Sequence, residues 1–289
     1  MPGSILIAGA GGQVGHELAT ADSPHRLIAL PHSQFDITDS SQVGAVIDKH
    51  SPDIVINAAA YTQVDRAEEE RDNALAINRD GVANLARACN QASIPLLHIS
   101  TDYVFSGDEV GAYREDDKIA PRSVYGASKA AGEAELRSLL DRHINLRTSW
   151  VFSATGGNFV KTMLRLGKER DELGIIDDQH GCPTSARSIA GVLLSIADHY
   201  LQGDDIEWGT YHFCSQPETT WFGFAREIFR LAGGYENLRL KAITTSEYPT
   251  PAARPMNSVL NCNKLENNFG IRQSSWIEDL RLVLEQLAR

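Results

Sequence analysis

The chain has 289 residues, 42% of them hydrophobic and 22% charged, with a formal net charge of −11. This is an ordinary globular composition, long enough for one large α/β domain or two unequal lobes that share a core. The negative charge argues against nucleic acid or an anionic membrane as the main partner. It leaves room for an anionic small ligand held by a few local cations and backbone amides.

Ser4–Ala8 runs directly into glycines and reads as a strand, not as a signal peptide. Further strands are expected at Arg26–Leu30, Asp53–Asn57, Pro95–Ser100 and Ile144–Arg147. Each is a nearly continuous apolar run, as in a parallel sheet covered on both faces. Helices are expected between them at Gln13–Thr20, Ser40–His50, Asn73–Gln91 and Val124–Leu140, with Asp39 and Ser40 as a helix start. This alternation predicts a doubly wound, Rossmann-type parallel α/β sheet. The second half is less regular. It predicts helices at Asn158–Arg170, Ser185–Tyr200, Trp221–Ala232 and Trp276–Ala288, and strands at Leu173–Ile176 and Gly209–Cys214. Tyr248–Pro255 is proline-rich and reads as a loop. The expected division is a dinucleotide-binding domain over 1–150, with later segments returning to it, and a smaller α/β substrate lobe over 151–289. Cys89, Cys182, Cys214 and Cys262 are scattered without a CxxC, which favours reduced thiols, a cytoplasmic location and no zinc site. No apolar run reaches membrane-spanning length, so no membrane partner is expected.

Gly9-Ala-Gly-Gly12-Gln-Val-Gly15 follows the first strand and opens the first helix. The first glycine permits a tight turn, the middle ones let amides approach a pyrophosphate, and Gly15 lets the helix pack on the sheet. Val14 occupies the place of the last glycine in a strict GxGxxG, so the fit is GxxGxxG on Gly9, Gly12 and Gly15. After the second strand, Leu30–Gln34 lacks the acid that binds an NAD ribose, while His32 or Ser33 tolerates a 2′-phosphate. NADPH is modestly favoured over NADH on that ground. Asp36 is placed either at an adenine edge or as a turn residue. Ala60, Tyr61 and Thr62 follow the third strand as expected dinucleotide contacts.

Tyr125 and Lys129 lie four apart on one predicted helix face. A free phenol titrates near pKa ~10; a nearby ammonium stabilises the phenolate and lowers that value. The pair then suits proton exchange with a carbonyl or alcohol. An isolated YxxxK is a short pattern of common residues, more often an incidental pair on an exposed helix; the rest of the chain reverses that. Thr101, at the end of the fourth strand, is expected to polarise the same carbonyl oxygen, and Asp102 to orient a sugar hydroxyl or cap a turn. Glu17, Glu68, Glu69 and Glu70 read as solvated helix carboxylates, so no metal is assigned.

Together, Gly9–Gly15, Asn57–Thr62, Ser100–Phe105 and Tyr125/Lys129 resemble the extended short-chain dehydrogenase/reductase superfamily. Asn57–Glu68, Ser100-Thr-Asp-Tyr-Val-Phe105, Leu146-Arg-Thr-Ser-Trp-Val-Phe152, Asn158–Leu166, Asp178–Ser185 and Ala253–Leu260 resemble the dTDP-4-dehydrorhamnose reductase family in particular. The resemblance implies NAD(P)H-dependent reduction of the C4 ketone of dTDP-4-dehydro-L-rhamnose, with Thr101, Tyr125 and Lys129 as the catalytic trio. It further implies substrate contacts at Thr101, Asp102 and Trp150, with Val64 and Tyr103 lining the pocket. Cofactor contacts are implied at Gly12, Gln13, Val14, Asp36, Ile37, Ala60, Tyr61 and Thr62; Tyr125 and Lys129 are expected to contact the cofactor as well, Lys129 through a nicotinamide ribose hydroxyl. A homodimer is a common family state. Trp150 reads equally as a core residue. Related sugar-nucleotide epimerases and dehydratases share these motifs but recycle a tightly held NAD. The non-catalytic, NADP-binding β subunit of methionine adenosyltransferase resembles the same family; the intact trio weighs against that reading.

Overall fold

The computed structural model describes residues 2–288. Five strands come from the first half: β1 (Ser4–Ala8), β2 (Arg26–Leu30), β3 (Ile54–Asn57), β4 (Leu96–Thr101) and β5 (His143–Thr148). A sixth, Gly209–His212, pairs in parallel with β5, and the sheet runs Gly209–His212, β5, β4, β3, β1, β2. All the pairings are parallel. Register places Ala8 beside Asn57, Asn57 beside His98 and His98 beside Asn145. That row crosses the sheet near the carboxyl ends of the strands, where folds of this kind bind ligands.

Alternating side chains divide the core between the two faces of the sheet. Ile5 and Ile7 pack with Val14 and Leu18 of α1 (Gln13–Ala19) and with Ile189, Leu193 and Ile196 of a later helix. Leu6 and Val55 face α2 (Ser40–His50) and, beyond it, Val82, Leu85 and Leu136. Burying each such aliphatic side chain stabilises the fold by ~1.5–3 kcal/mol. The start of α2 is fixed by Asp39, whose carboxylate accepts from Ser41 N at 2.9 Å and Gln42 N at 3.1 Å. A cap of this type contributes ~1 kcal/mol.

The helix expected over 73–91 is broken. It consists of α3 (Arg71–Leu75), a π-helical turn at Ala76–Asp80, and α4 (Gly81–Ala92). The break lies where α5 (Val124–Leu139) presses against it: a Cβ on Gly132 of α5 would sit 2.0 Å from Asn78 O. Local periodicity carries no trace of that long-range approach.

In the second half, α6 (Phe159–Glu169), α7 (Ala186–Gln202) and α8 (Trp221–Ala232) match expectation to within a residue or two. α7 packs on α1. Tyr211, Phe213, Leu265 and Phe269 join the same core, while other segments of this half build a separate one around Phe152, Met163, Phe224, Ile228, Trp276 and Leu280. Its strands are short pairs: Glu172–Ile176 with Arg239–Ile243, Val151–Phe152 with Thr184–Ser185, and His180–Gly181 with Thr219–Thr220. The four cysteines are buried free thiols.

Candidate active site

The glycine turn links β1 to α1. Gly9 adopts φ +85°, and a Cβ there would lie 2.5 Å from Ala59 N. A Cβ on Gly15 would lie 2.0 Å from Gly9 O, so only glycine lets α1 approach the turn this closely. Gly11 and Gly12 are exposed, and a Cβ on Gly12 would meet nothing nearer than 3.4 Å. The turn is therefore tight on its inner side and open on its outer side, which fits the diphosphate of a dinucleotide. Val14 is buried in the core beneath it. Gln13 Oε1 accepts from Ser153 Oγ and Asn158 Nδ2, both at 3.0 Å, tying the turn to the 153–158 loop.

Asp36 takes the turn geometry. Its carboxylate accepts from Thr38 N at 2.9 Å and Thr38 Oγ1 at 2.7 Å. Burial pushes its pKa up, but the Thr38 bonds and His32 outweigh that and leave it below the ordinary value. Ile37 is a core side chain packed under Gly81, and its carbonyl accepts from Asn84 Nδ2 at 3.0 Å. Ala60 is half-buried and Thr62 exposed. Between them, Tyr61 is clamped by Asn78, whose Oδ1 accepts from Tyr61 N at 2.9 Å while its Nδ2 donates to Tyr61 O at 3.0 Å. The same Nδ2 donates to Ser128 Oγ on α5 at 2.9 Å. The Tyr61 hydroxyl donates to Glu70 at 3.0 Å. Asn78 thus couples the loop after β3 to the helix that carries Tyr125 and Lys129.

α5 begins at Ser123, whose Oγ accepts from Gly126 N at 3.1 Å. Tyr125 and Lys129 face inward and are almost wholly buried, so the exposed-helix alternative does not hold. Tyr125 packs with Val64, Tyr61 and Tyr103; the Tyr103 ring meets it edge-on at 5.5 Å. Burial pushes the Tyr125 phenol well above its ordinary value, and the neighbouring Thr101 hydroxyl pulls the other way. The lowering expected from Lys129 is not seen here. Burial pulls Lys129 down to about 8, with Glu133 opposing the shift. Its Nζ donates to Ile99 O at 2.7 Å and lies 3.2 Å from His98 Nε2.

Beside this pair, β4 ends in Thr101 and Asp102. Thr101 Oγ1 donates to Asp102 Oδ1 at 3.0 Å and accepts from Tyr103 N at 3.2 Å. Asp102 Oδ2 accepts from Ser258 Oγ at 2.5 Å. Burial raises the Asp102 carboxyl to about 6, against the Ser258 and Thr101 bonds. The Tyr103 hydroxyl accepts from Arg254 Nη1 at 2.9 Å, and Arg254 also pairs with Asp65 at 2.6 Å. The structure thus gathers Thr101, Asp102, Tyr103, Val64, Tyr125 and Lys129 at one end of the sheet. Trp150 belongs to a different cluster. Its ring stacks on Trp221 at 3.6 Å, and Phe159 lies 4.6 Å from Trp221. The Trp150 backbone is left-handed, at φ +48°, a strained conformation for a bulky residue. Gly181 makes room for it, since a Cβ there would lie 2.5 Å from the indole.

Sequence reasoning missed the layer beneath the site. Glu133 is one turn beyond Lys129 on the same face and is fully buried. It accepts from Arg147 Nε at 2.9 Å and Nη2 at 2.7 Å, and from Ser100 Oγ at 2.6 Å. These bonds outweigh a burial that pushes upward and hold its pKa below the ordinary value. Extending the i, i+4 spacing from Tyr125 and Lys129 would have reached Glu133; Arg147 lies on the next strand and has no such signal. Among the described residues no group of three or more His, Cys, Asp or Glu side chains is arranged to hold a metal.

Comparison with known proteins matches the whole chain. The sequence profile of the RmlD substrate binding domain matches residues 3–289. The dTDP-4-dehydrorhamnose reductase of Aggregatibacter actinomycetemcomitans is 46% identical, over 96% of this chain and 97% of its own length. The crystal structure of a dTDP-4-dehydrorhamnose reductase from Clostridium acetobutylicum superposes with a TM-score of 0.92 at 37% identity, covering 99% of this chain and 100% of that one. That of the Bacillus anthracis dTDP-4-dehydrorhamnose reductase in complex with NADP gives 0.88 at 38% identity, over the same shares. With that profile matching nearly its whole length and full-length relatives beside it, the chain belongs to the RmlD substrate binding domain family, that of the dTDP-4-dehydrorhamnose reductases.

Proposed function

We propose that this chain reduces the C4 ketone of dTDP-4-dehydro-L-rhamnose to dTDP-L-rhamnose in the cytoplasm, using NADPH or NADH. The observation that carries the reading is the buried convergence of Thr101, Tyr125 and Lys129 at the end of β4, in a chain that also carries an open glycine turn after β1. The relatives that share the whole length support it, and the NADP bound to the Bacillus anthracis relative supports NADPH.

A reduced nicotinamide, when bound, supplies the hydride. Gly9, Gly12, Gln13, Val14 and Gly15 form the turn that would receive the diphosphate, and Asp36, Ile37, Ala60, Tyr61 and Thr62 would border the nucleoside. Thr101 and Tyr125 hold the ketone oxygen as it gains negative charge. Tyr125 Oη–H is the proton donor to that oxygen, and the charge on Lys129 stabilises the phenolate left behind. Raised by burial, the phenol keeps its proton until the developing alkoxide, a stronger base, removes it. Asp102, Val64, Tyr103 and Trp150 contact the sugar nucleotide.

The direct test mixes purified protein, the keto-sugar nucleotide and NADPH or NADH, and follows loss of reduced-nicotinamide absorbance. Stoichiometric consumption is expected; an epimerase or dehydratase would recycle its cofactor and consume none. Tyr125→Phe is expected to lower kcat by ~10²–10⁴-fold with cofactor Kd nearly unchanged. Undiminished turnover by that variant would remove Tyr125 from the mechanism. We further propose a homodimer, to be measured by light scattering.

A further inference from the structure

Lys129 Nζ has two polar neighbours, both inside the protein: the Ile99 carbonyl at 2.7 Å and His98 Nε2 at 3.2 Å. The carbonyl only accepts. What His98 does depends on which ring nitrogen carries its proton, and Asn57 decides that. Ala59 N–H donates to Asn57 Oδ1 at 3.0 Å, which fixes the orientation of the amide. The other end of the amide, Nδ2, only donates, and it lies 3.0 Å from His98 Nδ1. Nδ1 is therefore the acceptor. His98 is fully enclosed, and burial holds it neutral. A neutral imidazole carries one N–H, which is left to Nε2 and points at Lys129.

An ammonium has three donors and no lone pair, so an N–H facing it is repulsive; an amine lone pair accepts that hydrogen. The remaining charged groups around Nζ do not reverse this. Glu133, on the same helix, favours the ammonium, but it is already engaged by Arg147 at 2.7 Å and Arg137 at 3.3 Å. Tyr125 is a neutral phenol, and the Asp102 carboxyl accepts from the Thr101 and Ser258 hydroxyls. His143, the first residue of β5, acts on His98 and is a further imidazole that burial disfavours charging.

We propose that Asn57 and His98 are positioning residues that, added to the effect of burial, bias Lys129 toward the uncharged amine before ligands bind, through the relay Ala59 N–H, Asn57, His98, Lys129 Nζ. Charging Lys129, with a proton from solvent, then requires Nζ to leave His98. Its charge is coupled to the ligand hydroxyl that draws it away. The proposal takes its functional meaning from the reductase reading, but its test uses no turnover.

Long-range ¹H–¹⁵N NMR on the wild-type protein reads the tautomer of His98. The Nε2–H form is expected; an Nδ1–H or doubly protonated ring overturns the proposal. In Asn57→Asp a carboxylate that only accepts replaces the donor, so the proton is expected to move to Nδ1. The Lys129 ¹³Cε titration midpoint should then rise by about one unit or more. Retention of Nε2–H in that variant overturns the part given to Asn57; if the variant does not fold, the wild-type tautomer decides alone. A wrong tautomer leaves the Tyr125 assignment standing, whereas failure of the absorbance assay with a correct tautomer sinks only the reductase reading.

Discussion

Two buried carboxyls near the site respond to pH in opposite senses. Glu133 is held below its ordinary pKa, so its contribution to stability is present above about 4.5 and is lost as pH falls through the folded value. Asp102 is raised from 3.8 to about 6, so what it contributes is present below 3.8 and is lost as pH rises through about 6. Relative to Asp102→Asn, the wild-type protein should therefore lose stability between those two values. The expected loss is on the order of 3 kcal/mol, read from urea midpoints at a series of pH values. A flat difference would mean that Asp102 is not desolvated as the structure shows. At this scale the site was partly legible. Tyr125, Lys129 and Thr101 were readable because local spacing and a strand end carry them. Arg147 was not, because its partner Glu133 lies fourteen residues earlier on another element, joined only by the fold. Nor was the upward shift of Tyr125, which comes from burial that a sequence does not display.

Among elements, α5 does the most to place the chemistry, and its glycines show how. Gly126 and Gly132 face backbone so closely that a Cβ would lie 2.2 Å from Tyr103 O and 2.0 Å from Asn78 O. Gly132→Ala should push α5 off the Ala76–Asp80 turn, destabilise the protein by ~1–3 kcal/mol and lower turnover by displacing Lys129. Gly44, in the middle of α2, has nothing within 4 Å of its missing Cβ. Gly44→Ala should stabilise by ~0.5–1 kcal/mol. Thermal unfolding of the two variants checks both signs; a neutral Gly132→Ala would show that α5 has slack. The main strands and helices were legible from apolar runs because a sheet covered on both faces imposes them over several residues. The π-turn and the two-residue strands of the second half were not, since tertiary approach and not periodicity creates them.

Across the whole molecule, the strand Gly209–His212 completes the sheet against β5, and α7 covers α1. We propose that the lobes near 1–150 and 151–289 are interleaved and do not fold separately. A fragment of residues 1–150 should lack a cooperative transition in near-ultraviolet circular dichroism, since Ile5, Ile7, Leu97 and Ile144 lose their cover. A cooperatively folding fragment would overturn that reading. The same interleaving sets Trp150, just past β5, flat against Trp221 at the head of α8, with 8° between the ring planes. Two indole chromophores held face to face in a chiral frame couple their excited states. The protein thus carries its own optical gauge of how its two halves meet, readable in solution without a label.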